Sequence, residues 1–278
     1  MKSVKFYKMH GIGNDYIYFD CMQNDLYNPG ELALRLSDRH FGIGGDGIIL
    51  LCPSEKADIA MRMFNADGSQ GGMCGNGIRC LAKLAYNLGY IDGDGCTVET
   101  PSGIKNLKLI FDKDKKVSSI RVDMGVPILS GREIPSLITG EEIVGIPLEI
   151  DGVEYKVTLV NTGNPHCVVF TDPDRVDISL GKKLENSFLF PDRVNTEFAA
   201  VTGPNTVKMR VWERGSGETL ACGTGACAAA VASVLNGYCD KNKPIDVSLP
   251  GGKLKIEYTD SVYMTGTATL VYTGEIEI

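Results

Sequence analysis

Residues 61–77 read MRMFNADGSQGGMCGNG and residues 209–225 read MRVWERGSGETLACGTG. The two stretches align without a gap at a fixed offset of 148 residues. Met61/Met209, Arg62/Arg210, Cys74/Cys222, Gly75/Gly223 and Gly77/Gly225 are identical, and Phe64 and Trp212 match in kind. Self-similarity on this scale is the signature of a duplicated architecture. A fainter echo pairs Gly13-Asn14 with Gly163-Asn164, two residues out of register with the first. The economical expectation is a chain of two similar halves. Residues 1–120 form the half that carries Cys74 and are joined by the C-terminal strand at 263–278; residues 121–262 form the half that carries Cys222.

Working outward, each half reads as a strand, a Gly-rich loop, Cys-Gly-x-Gly and then a helix. In the first half the patterns predict strands at 4–10, 15–20, 48–52 and 59–64, a helix near 31–39 and a helix over 74–88. A strand pair over 97–111 is broken at Pro101-Ser102-Gly103. In the second half a hairpin over 148–160 turns at Asp151-Gly152. A strand at 166–170, a helix near 176–185, strands at 195–201 and 206–213 and a helix over 222–235 follow. Strands at 245–249, 253–258 and 263–272 complete the chain. Strands outnumber helices and most join through hairpins, which argues α+β rather than a doubly wound parallel sheet.

Composition narrows the function. The 278 residues carry a net charge of −7 with no long basic block, so nucleic acid is not an expected partner. No apolar stretch approaches the roughly 18 residues of a membrane span, and the N-terminus has no secretory pattern, so a cytoplasmic, membrane-free protein is expected. Nine scattered cysteines and three histidines contain no C-x-x-C, which disfavours structural metal. Cys21, Cys52, Cys96, Cys167 and Cys239 read as small buried hydrophobes. Glycine supplies 33 residues, about 12% against a usual ~7%. Gly42 to Gly47 matches G-x-G-x-x-G but follows a helix and precedes a strand, the reverse of the dinucleotide context.

A cysteine at a helix N-terminus sits where free backbone N–H groups and the helix dipole favour a thiolate. The same N–H groups hold an anion such as a carboxylate. For one such cysteine, burial is an equally good reading; for two at repeat-equivalent positions, chemistry is the better one. If the halves face each other across a pseudo-twofold axis, one thiol stands on each side of a shared cleft. That arrangement suits removal of a proton from one face of a carbon and return to the other, stereoinversion without a cofactor. Asn14, Asn65, Asn164, His166, Asn195, Glu213 and Arg214 are the polar residues expected to line the same cleft. Glu213-Arg214 reads either as a surface ion pair or as a clamp for a substrate's ammonium and carboxylate. His166 reads either as a base assisting a thiol or as a capping group.

The segments KMHGIGNDYIYFD (8–20), RHFGIGGDG (39–47), NADGSQGGMCGNGIRC (65–80), NTGNPHCVVF (161–170), RVNTEF (193–198) and ERGSGETLACGTGACAA (213–229) jointly resemble the diaminopimelate epimerase family. The resemblance implies interconversion of LL- and meso-2,6-diaminopimelate, a lysine and cell-wall precursor, without pyridoxal phosphate or metal. It implies Cys74 and Cys222 as the acid/base thiols, with His166 and Glu213 assisting proton movement. Asn14, Asn65, Asn164, Asn195, Glu213 and Arg214 would grip the distal amino acid end. The backbones of Gly75-Asn76 and Gly223-Thr224 would hold the reacting carboxylate. The implied fold is two α+β halves, each a curved, mostly antiparallel sheet around a central helix, assembled as a homodimer. One departure stands out: where some members carry Gln, this chain has Gly47, and a side-chain contact to substrate is lost there. Another racemase of the same cofactor-independent group, such as a proline racemase relative, and a thiol redox or binding protein are the competing readings.

Overall fold

The computed structural model describes residues 3–278. The chain divides into two compact units, one ending at Val122 and completed by Thr265–Ile278, the other Asp123–Met264.

The first unit opens with the hairpin β1 (Ser3–Gly11) and β2 (Asn14–Asp20), then α1 (Pro29–Leu36), β3 (Gly47–Cys52), β4 (Ile59–Asn65) and the short β5 (Gln70–Gly71). Next come α2 (Gly75–Asn87), β6 (Gly95–Thr100), β7 (Gly103–Phe111) and β8 (Val117–Gly125). β1 is antiparallel to β2, β2 parallel to β3, β3 antiparallel to β4, β4 antiparallel to β5 and parallel to β6, and β6 antiparallel to β7. Pro29 at the helix start suits α1, because its missing N–H would be unpaired there anyway. The helix stops at Leu36, short of the expected residue 39, because the Asp38 carboxylate takes the N–H groups of His40 and Phe41 at 2.7 and 2.8 Å.

The second unit contains β9 (Ile146–Ile150), β10 (Val153–Asn161), β11 (Pro165–Phe170), α3 (Leu180–Glu185), β12 (Asn195–Gly203) and β13 (Thr206–Glu213). It continues with β14 (Gly217–Thr219), α4 (Gly223–Leu235), β15 (Pro244–Leu249), β16 (Gly252–Tyr258) and β17 (Val262–Gly266). β10 is antiparallel to β11, β11 parallel to β12, β12 antiparallel to β13, β13 antiparallel to β14 and parallel to β15, and β15 antiparallel to β16. This repeats the pairing sequence of the first unit strand for strand. Even the flank matches: β9 runs antiparallel beside β10 as the last strand, β18 (Thr269–Glu277), runs beside β1. The α+β duplication inferred from the cysteine motifs therefore extends over the whole fold.

Two further expected elements differ. The helix near 176–185 is confined to Leu180–Glu185, since Asp177 takes the Ser179 N–H at 2.9 Å and three-residue turns precede the helix. The strand over 263–272 breaks into β17 and β18 because the carbonyls of Thr267 and Ala268 accept from Arg79 and Lys83 of α2 instead of a neighbouring strand. β8 has no counterpart in the sequence expectations; it pairs with β7 and buries Val117, Ile120, Val122 and Met124.

Strand alternation gives each sheet two working faces. In the first unit Ile17, Phe19, Ile48 and Leu50 join α1 in one core, which leaves Tyr16, Tyr18 and Ile49 on the face toward α2. In the second unit Leu159, Cys167, Val169 and Phe198 pack with α3, leaving His166 and Glu197 toward α4. α4 is Ala-rich and buried all round over most of its length, as a helix enclosed by sheet must be. Cys21, Cys52, Cys96, Cys167 and Cys239 are all buried, as expected. No helix among the described residues is long and apolar enough to cross a membrane.

Candidate active site

Cys74 is the N-cap of α2 and Cys222 the N-cap of α4, each in extended backbone conformation with its sulfur accepting an N–H from three residues on. Those bonds are 3.3 Å from Gly77 and 3.4 Å from Gly225. A helix start exposes unpaired N–H groups and a positive dipole end, so the backbone itself favours a thiolate at both positions. The second glycine of each motif has a packing reason. A Cβ at Gly77 would stand 2.6 Å from Ile49 Cδ1, and one at Gly225 would stand 2.6 Å from Glu197 Oε1.

Around Cys74, the thiol donates to Asn14 Oδ1 at 3.2 Å, and the Asn14 amide donates to Asp46 at 2.7 Å. Asp46 and Asp15 share Arg39, at 2.9 and 2.7 Å, while Lys8 pairs with Asp15 and with the Gly44 carbonyl. This network ties the loop 39–47 to β2. Burial acts to raise the Asp15 carboxyl, but Arg39 and Lys8 outweigh it and hold it below its ordinary value. Asn65, at the end of β4, donates to Ser69, inside a turn held by Asp67. Gly75 and Asn76 are buried and locked by Arg79, a fully buried guanidinium that donates to Gly75 O at 2.9 Å and to Asn76 Oδ1 at 2.8 Å.

Gly47 faces Asn65 across the β3–β4 pair with φ +154°. A Cβ there would lie 2.1 Å from the Phe64 carbonyl oxygen. The backbone is built around the missing side chain, so Gly47→Gln is expected to destabilise the protein by about 2–4 kcal/mol. A thermal melt equal to that of the parent would show instead that the strand pair relaxes freely.

In the second unit, His166 and Glu197 are fully buried and joined at 2.7 Å through Nδ1 and Oε1, and His166 Nε2 lies 2.9 Å from Asn164 Oδ1. Among the described residues, Glu197 Oε2 has no hydrogen-bond partner. Asn195 is a brace: its amide donates to Pro165 O at 2.8 Å and its oxygen accepts the Arg214 N–H at 3.0 Å. Thr162 holds the Thr224 carbonyl at 3.0 Å, and the Thr224 hydroxyl lies 3.4 Å from the Cys222 sulfur. Glu213 and Arg214 part company, Glu213 accepting from Thr219 while exposed Arg214 donates to Asp192 O at 2.8 Å. The surface ion-pair reading of these two is thereby set aside.

Burial pushes the Glu213 carboxyl up and Glu197 adds to it, against the hydrogen bonds from Thr219 and Cys222 and the charge of His166. Burial, then the Glu213 and Glu197 charges, push the Cys222 thiol well above its ordinary value, against Thr224 and the Gly225 N–H. Cys222 is therefore held protonated near neutral pH. Removing one of the two carboxylates in Glu213→Gln is expected to lower the midpoint of Cys222 ionisation. Ultraviolet thiolate absorbance, differenced against Cys222→Ser, reads that midpoint; no movement would show that the Glu213 charge does not raise the sulfur.

Two residues of this setting escaped the sequence reading: Glu197 and Arg79. Glu197 interrupts a buried strand, and Arg79 sits between Ile78 and Cys80 on a buried helix; a charge at either place was the available signal.

A family model described as Diaminopimelate epimerase matches residues 6–130 and 158–271. A diaminopimelate epimerase from Acetivibrio thermocellus is 50% identical over 282 residues, covering 99% of both chains. One from Methanococcus maripaludis is 47% identical over 280 residues, covering 99% of this chain and 100% of the relative. Among solved structures, a Bacillus anthracis phenazine biosynthesis protein of the PhzF family aligns with TM-score 0.74 at 16% identity, covering all of both chains. A probable proline racemase from Agrobacterium radiobacter aligns with TM-score 0.73 at 13% identity, covering 99% of this chain and 93% of the other. These two likenesses show the fold alone. With the family model spanning most of its length and relatives near half identical from end to end, the chain belongs to the diaminopimelate epimerase family.

Proposed function

We propose that this chain interconverts LL- and meso-2,6-diaminopimelate, serving lysine and cell-wall precursor synthesis, with Cys74 and Cys222 as the two acid/base thiols and no cofactor. The observation that carries the reading is the pair of repeat-equivalent cysteines, each capping a buried helix and each receiving a backbone N–H, in a chain 50% identical to a diaminopimelate epimerase.

One sulfur, as thiolate, takes the α-proton from its face of the carbon while the other, as thiol, gives its proton to the opposite face. The two sulfurs end with protonation states exchanged, ready for the reverse reaction. Charge developing on the α-carboxylate is met by the N–H groups of Gly75-Asn76 and Gly223-Thr224. Glu213 and Arg214, with Asn14, Asn65, Asn164 and Asn195, hold the distal ammonium and carboxylate, and His166 with Glu213 steadies the proton at Cys222.

In D2O, LL-diaminopimelate should yield meso product carrying one deuterium at the inverted carbon, while L-proline should remain unconverted. Inert diaminopimelate, or turnover of proline instead, would overturn the reading. The same reading includes a cytoplasmic homodimer. Exposed Leu270, Val271 and Tyr272 on β18 are apolar surface of the kind a second copy would cover, and sedimentation velocity measures the assembly.

A further inference from the structure

On the α1 face of the first unit's sheet, two cysteines of neighbouring strands stand side by side. β2 and β3 run parallel in the register Ile17↔Ile48, Phe19↔Leu50 and Asp20↔Leu51, and the Cys21 N–H donates to the Leu51 carbonyl at 2.8 Å. In a parallel pair that bond sets Cys21 opposite Cys52. Neighbours in register point to the same face, and both cysteines belong to the buried cluster that holds Ile17, Phe19, Ile48 and Leu50. Adjacent strands lie about 4.7–4.9 Å apart, inside the Cα span of about 4.4–6.8 Å that a disulfide bridges. Cys52 is the last residue of β3 and Cys21 stands one past the end of β2, so the strand ends can draw together as a bond forms.

The surroundings suit a reactive dithiol. Cys21 and Cys52 are buried but not sealed, at 4% and 7% exposure. Asp20 before Cys21, and Asn24, Asp25 and Leu26 after it, line a cavity of about 980 Å³ that brings a small solute to the strand ends. Arg62 shares the face: it alternates with Ala60 and Phe64 on β4, pairs in register with Leu50, and its guanidinium bonds Asp25 at 3.0 Å. The neighbouring Cys21 holds the Cys52 thiol below its ordinary value; burial opposes this and the Arg62 charge adds to it. Cys21 is pushed up by Cys52 and by burial. One sulfur is therefore the readier nucleophile and the other keeps its proton.

We propose that Cys21 and Cys52 form a modification site apart from the catalytic thiols, closed to a disulfide by a small peroxide. The Cys52 thiolate attacks one peroxide oxygen; the O–O bond breaks, a sulfenic acid forms, and the departing hydroxide takes up a proton as water. The Cys21 sulfur then attacks the Cys52 sulfur; the S–S bond forms, the S–O bond breaks, and the second hydroxide leaves with the Cys21 proton as water. Two thiols and one peroxide thus give one disulfide and two waters. The bridge closes a loop that contains α1 and residues 39–47, and it fastens the far ends of the strands whose near ends carry Asn14 and Gly47. The site stands independently of the epimerase reading.

The test uses the wild-type chain, reduced, freed of reductant and treated with hydrogen peroxide in native buffer. Remaining thiols are then blocked with N-ethylmaleimide in guanidinium, and the chain is cut with trypsin without reduction; Arg35 and Arg39 place the two cysteines on different peptides. Those peptides should appear linked, lighter than their sum by a pair of hydrogen atoms, and dithiothreitol should part them. Cys96 and Cys167 are the controls, because they are buried to a similar degree or more; Cys21 and Cys52 should lose their thiols about tenfold faster. In Cys21→Ser the Cys52 sulfenic acid loses the neighbour it condenses with, and dimedone should capture it. The Cys74→Ser/Cys222→Ser chain should form the same bridge, so the result stands even if diaminopimelate is not turned over. Recovery of Cys21 and Cys52 as thiols while Cys74 is oxidised overturns the proposal, as does bridging of either to another cysteine. A bridge that forms only in guanidinium overturns it too, by showing that the native fold keeps the sulfurs apart.

Discussion

Cys74→Ser and Cys222→Ser are each expected to lower kcat by about 1,000-fold or more in both directions, with little change in melting temperature. The separation of activity from stability follows from the double task of these residues. Each is a helix N-cap that accepts a backbone N–H three residues on, and serine performs that task at least as well. A hydroxyl is a far weaker acid than a thiol and supplies no base near neutral pH. Positioned general acid–base catalysis contributes about 10²–10⁴-fold, so a 1,000-fold loss corresponds to about 4 kcal/mol of barrier. Alanine, which loses the cap as well, should add roughly 1 kcal/mol of destabilisation to the same kinetic defect. Each single variant should still exchange the α-hydrogen of one stereoisomer with D2O without inverting it, because the remaining thiol can remove and return a proton on its own face. Full turnover in either serine variant would mean that one thiol suffices.

These two cysteines were legible in the sequence because the duplication marks them: a cap, two glycines and a helix recurring at one spacing is local information. The positions of most strands were legible too, since hairpin turns and hydrophobic alternation are short-range signals, but the parallel pairings β2–β3, β4–β6, β11–β12 and β13–β15 were not. What surrounds the sulfurs was not. Asn14 on β2 and Ile49 on β3 belong to other elements than Cys74, the cap of α2, and the Asn14/Asn164 echo stands two residues out of register with the Cys74/Cys222 repeat. Arg79 looked like an ordinary helical arginine, and only the carbonyls of Gly75 and Thr267 and the side chain of Asn76 show why it is buried. The ends of α1 and α3 were misjudged where Asp38 and Asp177 capture backbone N–H groups, a competition that periodicity does not report.

Glu197→Ala should be the most destabilising single change in the second unit, by about 3–5 kcal/mol. Its carboxylate and the His166 ring are both wholly inaccessible and joined at 2.7 Å. Truncation removes the oxygen that His166 Nδ1 bonds and opens a void beneath Gly225. For a chain of this size the melting temperature should drop by about 5–10 °C. Glu197→Gln separates packing from charge. It keeps the volume and an oxygen for Nδ1, and the oxygen it gives up, Oε2, has no partner among the described residues, so the stability cost should be nearer 1 kcal/mol. Yet it removes one of the two carboxylates that raise the Cys222 thiol, and Cys222 should ionise at lower pH than in the parent. The sign of that shift is decisive. If Glu197 acted only as filler beneath the helix, glutamine would leave the Cys222 titration where it is; if its charge sets the proton affinity of the sulfur, the midpoint falls while the protein stays folded. Calorimetry and thiolate absorbance on the same two variants distinguish the cases, and an alanine variant that melts with the parent would show that the buried pair carries no net stability.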